Sequence, residues 1–366
     1  MVWSPESVAP GTRIQDLDTP CLLLDLDKVE RNLDLMAAAF EGTHVKLRPH
    51  AKTHKSPRLA LMQLERGAIG VCCAKLGEAE VMAAGGVTDL LVTSPLVGTA
   101  KIRRLLALAR QADVTTVVDD AGCAARISDA AQEAGLRIKC LVDLDLGTHR
   151  TGVEPGEPAL RLATAVSRLP GLQFLGLQGY EGHAQHIVGI DERRAVHARA
   201  AQLLTGTADL LREKGLPVEI VSTAGTGTCR FTLDWQAVTD VQPGSYVVMD
   251  TDYGRVDGLG FEHALTVLAN VVSKRGNVAI LDAGLKTLST DAGPAAPRDL
   301  EAEYAPFGDE HGRLTFKDGN PLAHGDKVHL LPRHCDPTIN LHDVYHVTRG
   351  DTVVGVWPIA ARGCIQ

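Results

Sequence analysis

VTTVVDDAGCAARISDAAQEAGLRIKCLVDLD, residues 114–145, opens on a β-branched run, passes through an amphipathic segment and closes on a second apolar run. That alternation recurs from about residue 44. The runs are HVKLRPH, AIGVCCA, DLLVTS, VTTVVDD, RIKCLVDLD, FLGLQGYEG, VEIVSTAG and SYVVMD, each short enough for a buried strand. Between them, Ile102, Leu105, Leu106 and Ala109 recur at helical spacing, as do Leu162, Val166 and Leu169, and Val196, Ala200, Leu203 and Leu204, which predicts helices with one apolar stripe. Strands alternating with helices imply a parallel sheet, and eight such units fit a closed (β/α)8 barrel. An open doubly wound sheet is the alternative.

Past about residue 255 the rhythm changes to short strand-like pieces separated by turns: ALTVLANVVSKRGNVAILDAG, GRLTFKDGN, DKVHLLPRH and DTVVGVWPIAARG. These predict a second, mostly antiparallel β domain. The first twenty or so residues have no place in the barrel and are expected to pack with that tail. The expected division is a barrel over 22–255 and a β domain formed by 1–21 and 256–366.

The composition excludes several classes. No apolar window is long enough to span a bilayer, and the amino terminus has neither the basic start nor the apolar stretch of a signal peptide, so the chain is expected to be cytoplasmic. A formal net charge of -8 argues against nucleic acid, which needs a basic face. The eight cysteines lack zinc-ribbon or secreted-scaffold spacing and are expected to be mostly reduced core residues.

Reactive groups of such a barrel sit at the carboxyl ends of its strands. The first run ends in RPHAKTHK, residues 48–55, where Arg48 and His50 would lower the pKa of Lys52 and make it a Schiff-base nucleophile. The plain alternative is a pair of solvated loop lysines. The fifth run ends in DLDLGTHRTGV, residues 143–153, where Arg150 suits an anionic oxygen or a neighbouring Asp. STAGTGT, residues 222–228, and QPGSY, residues 242–246, are Gly-rich turns on successive units. Backbone amides there can converge on a phosphate, and phosphate sites in these barrels favour the last two strands. In RHCDPTINLHD, residues 333–343, His334 and Asp336 on an extended strand would share one face and one cation. A surface His–Asp hydrogen bond is the alternative.

Together, RPHAKTHK, GTHRTGV, STAGTGT, QPGSY and HCDPT resemble the D-threonine aldolase and D-serine dehydratase family, enzymes of the alanine racemase-like fold that use pyridoxal 5'-phosphate. The resemblance spans nearly the whole chain. It implies that Lys52 carries the cofactor, Arg150 contacts the pyridoxal 3-oxygen and Tyr180 lies by the pyridine nitrogen. It further implies that Thr223, Gly225, Thr226 and the turn Gly244, Ser245, Tyr246 hold the phosphate, and that His334 and Asp336 bind a divalent metal. The dehydratase branch typically reads His-x-Cys at the metal. Asp336 is a harder donor that favours manganese or magnesium over zinc, and with it carbon–carbon cleavage over dehydration.

The implied activity is a lyase splitting D-3-hydroxy-α-amino acids to glycine and an aldehyde. Rivals are a 3-hydroxyaspartate aldolase, a D-3-hydroxyamino acid dehydratase and a non-catalytic pyridoxal-phosphate carrier. His50, His54, His183 and His186 are candidates for the base acting on the β-hydroxyl. Relatives often form homodimers, in which the tail of one subunit is expected to close the barrel mouth of the other.

Overall fold

A computed structural model describes residues 8–366. Strand β1 (Cys21–Asp25) leads into α1 (Leu26–Phe40), whose first turn is capped by Asp25 accepting from Lys28 N at 3.1 Å. Eight parallel strands follow: β2 (Lys46–Leu47), β3 (Val71–Cys73), β4 (Asp89–Val92), β5 (Asp113–Val118), β6 (Ile138–Leu144), β7 (Leu172–Gly179), β8 (Ile220–Thr223) and β9 (Asp240–Val241). Between them run α2 (Pro57–Leu64), α3 (Leu76–Ala84), α4 (Thr99–Leu108), α5 (Ala121–Glu133), α6 (Glu157–Ser167) and α7 (Ile190–Glu213).

The strands pair in the order β2-β9-β8-β7-β6-β5-β4-β3. The ring closes where His50 bridges Cys72: Cys72 N donates to Pro49 O and Ala51 N to Cys72 O, each at 2.8 Å. The result is a closed (β/α)8 barrel. Cys72, Leu91, Val117, Leu141 and Leu175 pack as one small apolar cluster, while alternate wall residues such as Val71, Leu90 and Val92 join the main core. This is the period-two division of a strand buried on both faces.

Two elements differ from the sequence expectation. The eighth strand is Asp240–Val241, not SYVVMD. Residues 245–247 instead form a 3-10 turn, because Pro243 has no amide to extend the ladder and Met249 takes a positive φ of 56°. QPGSY therefore follows the last strand and reaches the barrel mouth. On α7 the buried face runs through Arg193, His197, Ala200, Leu204 and Leu211, whereas Leu203 is exposed. A stripe that includes Arg and His is invisible to an apolar count.

The remaining strands are β10 (Leu265–Arg275), β11 (Val278–Leu281), β12 (Ala296–Pro297), β13 (Ala302–Pro306), β14 (Gly312–Phe316), β15 (Lys327–Leu331), β16 (Val344–Arg349) and β17 (Thr352–Pro358), with α8 (Cys335–Ile339) between β15 and β16. With β1 they form a nine-stranded, mostly antiparallel sheet. The exception is β1, which pairs parallel to β16 with Leu23 opposite His346. Residues 22–25 thus lie in this sheet, on the β side of the line expected at 22. The amino-terminal segment also meets the tail, where Gly11 N donates to Val353 O and Ile14 N to Asp351 O; the part of that expectation falling on residues 1–7 lies outside the described residues. All eight cysteines are free thiols. Among the described residues no helix is long and apolar enough to cross a membrane.

Candidate active site

A cavity of about 600 Å³ opens at the carboxyl ends of the barrel strands, and residues following all eight of them line it. Lys52, Arg150, Tyr180, Gly225, Thr226, Gly244 and Ser245 converge there. Thr223 and Tyr246 stand behind the wall. Thr223 Oγ1 turns to Glu181, at 3.3 Å. Tyr246 is buried, and its hydroxyl accepts from Gln63 Nε2 at 3.0 Å.

Lys52 leaves the end of β2 with its Nζ 3.6 Å from Asp336 Oδ2. Burial lowers the amine's pKa, but Asp336 and Tyr180 outweigh it and hold the group above its ordinary value. The expected lowering by Arg48 and His50 is corrected. Arg48 points to Asp89 and Asp240, and His50, held by burial well below its ordinary pKa, adds little positive charge. The amine of this state is an ammonium with a carboxylate partner.

Asp336 comes from the second sheet of the same chain. Lys52 and Asp336 thus meet within one chain. The extended strand expected at 334–336 is also corrected. His334 is the N-cap of α8, and Asp336 and Pro337 occupy its first turn, where a proline is tolerated. Cys335 N donates to Asp250 Oδ2 and Thr338 Oγ1 to His334 O, both at 2.9 Å, which fixes that turn against the barrel. His334 Nδ1 lies 2.6 Å from Asp291 Oδ2, leaving Nε2 available. A carboxylate on one imidazole nitrogen is the usual backing of a metal-binding histidine, so His334 and Asp336 suit a divalent cation whose other ligands are water or substrate. Among the described residues no group of three or more His, Cys, Asp or Glu side chains forms a metal cage.

The two Gly-rich turns line the cavity together as a cradle of closely approaching backbone. A Cβ on Gly225 would meet Gln185 Oε1 at 2.7 Å, and one on Gly244 would meet Thr53 Oγ1 at 2.6 Å. The backbone approaches there as only glycine permits. A second tier holds this cradle in place. Glu181, fully buried, accepts from Thr228 Oγ1 at 2.6 Å and faces His197 Nδ1 at 3.0 Å. Gln185 Nε2 donates to Thr228 Oγ1 and Gly227 N donates to Gln185 Oε1, both at 2.9 Å, as does Arg193 Nε to Gly227 O. None of these supporting residues was singled out in the sequence. Glu181 had a signal in its place at the end of QGYEGH; His197 and Arg193 had none beyond helical spacing.

Arg150 stands 5.9 Å over the Tyr180 ring and is not salt-bridged to a neighbouring Asp. Beneath it Asp143 accepts from Gln178 Nε2 and Thr151 Oγ1, both at 2.9 Å. Burial raises the Asp143 carboxyl from 3.8 to about 6, against those two bonds. A pKa raised by folding means the native state holds its proton longer, so stability falls as pH rises from about 4 through about 6. Asp143→Asn, which cannot ionise, is expected to stabilise the fold at pH 8 by on the order of 3 kcal/mol and to change little near pH 4. Urea unfolding at both values checks this, and parallel pH curves for the two proteins would rule it out.

The four histidines considered as base lie in different surroundings. His50 Nε2 lies 3.2 Å from Thr93 Oγ1. His54 is fully buried, accepts from Ser56 N and has its pKa pushed down to about 4 by burial. His183 lies under Gly147, with its Cε1 3.3 Å from where a Cβ would stand. His186 is half-buried, stacks 4.3 Å from the cavity residue Tyr253 and has Nδ1 2.8 Å from Asp252 Oδ2.

This arrangement has counterparts among known proteins. Residues 24–252 match the alanine racemase, N-terminal domain, and residues 264–348 a putative serine dehydratase domain. A D-threonine aldolase of Arthrobacter sp is 41% identical over 98% of this chain and 96% of its own length. A 3-hydroxy-D-aspartate aldolase of Paracoccus denitrificans (strain Pd 1222) is 40% identical over 97% and 94%. The crystal structure of D-threonine aldolase from Filomicrobium marinum superposes with a TM-score of 0.95 at 42% identity, covering 99% of this chain and all of that one. The chain belongs to the alanine racemase N-terminal domain family and, within it, to the group that contains the D-threonine and 3-hydroxy-D-aspartate aldolases.

Proposed function

We propose that the protein is a lyase that uses pyridoxal 5'-phosphate and a divalent metal to cleave D-threonine and other D-3-hydroxy-α-amino acids to glycine and an aldehyde. The observation that carries this reading is the meeting of Lys52 Nζ and Asp336 Oδ2, 3.6 Å apart, beside a cavity that both Gly-rich turns line. Lys52 would hold the cofactor covalently, Arg150 would meet its 3-oxygen and Tyr180 its ring nitrogen. The amides around Gly225, Thr226, Gly244 and Ser245 would take the phosphate, with Thr223 and Tyr246 acting from behind. The cofactor supplies an acceptor for the electron pair left on Cα.

His334 and Asp336 would hold the metal against the substrate's β-hydroxyl oxygen and so lower that group's pKa. His50, which lines the cavity, and His186, beside Tyr253 and Asp252, would be the candidates to take the hydroxyl proton. Asp336 supports cleavage over dehydration, because its oxygen suits manganese or magnesium rather than the zinc favoured by a thiolate. The two sheets are read as two domains, the barrel over about 26–255 and the β domain over the rest.

The test is product analysis. With cofactor and manganese, D-threonine is expected to give glycine and acetaldehyde, L-threonine neither, and a chelator is expected to cut the rate at least about a hundredfold. Release of 2-oxobutyrate without glycine overturns the aldolase reading. The homodimer belongs to this proposal and is read by sedimentation of the same preparation.

A further inference from the structure

The cavity carries three cations, Lys52, Lys75 and Arg150, against a single lining carboxylate, Asp119. Lys52 is paired with Asp336 and Arg150 lies over Tyr180. Asp119 Oδ2 accepts from Gly152 N at 3.2 Å. Among the described residues the Lys75 side chain has neither hydrogen bond nor ion pair, although the chain holds 45 acidic residues to 37 basic ones.

The backbone of Lys75 is not free to drift. It is the N-cap of α3, and Ala74 N and Lys75 N both donate to Glu78 Oε2, at 2.8 and 3.3 Å. Glu78 is buried and its other oxygen pairs with Lys55, three residues beyond Lys52. One buried ion pair thus ties the segment bearing Lys52 to the segment bearing Lys75. The ring order places these segments side by side, since β2 closes against β3 on one flank and pairs with β9 on the other.

Two of the groups near Asp336 belong to the other flank. Asp250, which holds the start of α8, and Tyr253 both follow β9. An amino acid held beside Lys52, its amine taking the lysine's place on the cofactor and its hydroxyl toward Asp336, therefore has the β3 side left for its remaining polar group. That group is an anion, and a cation without a partner waits there.

We propose that Lys75 binds the α-carboxylate of the substrate. This rests on the aldolase reading above and adds the subsite that every α-amino acid must occupy. Lys75 is exposed at the rim of the cavity, and a charge-assisted hydrogen bond to a carboxylate there discriminates by about tenfold or somewhat more.

The test uses the cofactor-loaded protein and two amines that differ only at that group, D-alanine and D-alaninol. Each is titrated against the cofactor absorbance. The wild type is expected to bind D-alanine about tenfold or somewhat more tightly; in Lys75→Met the preference is expected to fall near one, and Lys75→Arg is expected to restore part of it. For D-threonine, Lys75→Met is expected to raise KM by a matching factor and move kcat much less. An unchanged preference in Lys75→Met, or none in the wild type, overturns the assignment. So does a defect confined to 3-hydroxy-D-aspartate, which would make Lys75 a partner of the side-chain carboxylate instead. If the wild type neither responds to D-alanine nor cleaves D-threonine, the aldolase reading itself falls. If it cleaves D-threonine and Lys75→Met keeps its preference, only the Lys75 assignment falls.

Discussion

Lys52→Ala is expected to lose its cofactor on gel filtration and to release glycine from D-threonine at least about a thousandfold more slowly than the wild type. The physical reason is that no other amine is so placed. Lys55, the neighbour that could substitute, is buried against Glu78, and Lys75 leaves a different strand. The wild-type amine is partnered by Asp336, so its ammonium must give up a proton before it can attack an aldehyde. The loss should therefore appear as a failure to retain cofactor, which absorbance reads without any assay of turnover. Borohydride reduction of the loaded wild type, followed by peptide mass analysis, should mark residue 52. A variant that keeps its colour through gel filtration and more than about a tenth of the activity would defeat the proposed role.

The second large effect is structural. Glu181→Ala is expected to destabilise the fold by about 3–5 kcal/mol, measured by urea unfolding, because it strips a buried network of its only carboxylate. His197 Nδ1, Thr228 Oγ1 and Thr223 Oγ1 would all lose the partner they have at 3.0, 2.6 and 3.3 Å. Burial pushes the Glu181 carboxyl up, but its bonds with His197 and Thr228 prevail and its pKa lies below the ordinary value. A depressed carboxyl stabilises the native state above its unfolded pKa and loses that contribution as pH falls through the folded one. The cost of the variant should accordingly shrink in acid. Because Thr228 belongs to the glycine cradle, cofactor affinity should drop along with stability. A cost under about 1 kcal/mol at neutral pH would show that the network is slack.

How much of this was legible beforehand varies with the physics involved. Periodicity revealed the barrel and the change of rhythm past residue 255, because burial on both faces leaves unbroken apolar runs. It misplaced the eighth strand, since two residues, Asp240 and Val241, suffice when β2 and β8 hold them from both sides. The strand-end rule brought Lys52, Arg150 and the glycines to one mouth, and the family resemblance added Tyr180. It could not show that Asp336 sits in a helical turn, because a five-residue helix is set by Asp250 and Thr338 rather than by its own propensity. Asp291, Glu181 and His197 were missed for a common reason. Their work is to hold other side chains across long stretches of sequence, and such pairings leave no spacing to read.

The parallel pairing of β1 with β16 reaches back to synthesis. Leu23 meets His346, so β1 must wait for a strand made far later before both its edges are covered. Contacts of such separation are formed late and slowly, and an uncovered strand edge invites other chains in the meantime. The turn bearing Asp336 lies just ahead of β16 in the chain, so on a nascent polypeptide Lys52 stays without its carboxylate until that far later segment has left the ribosome.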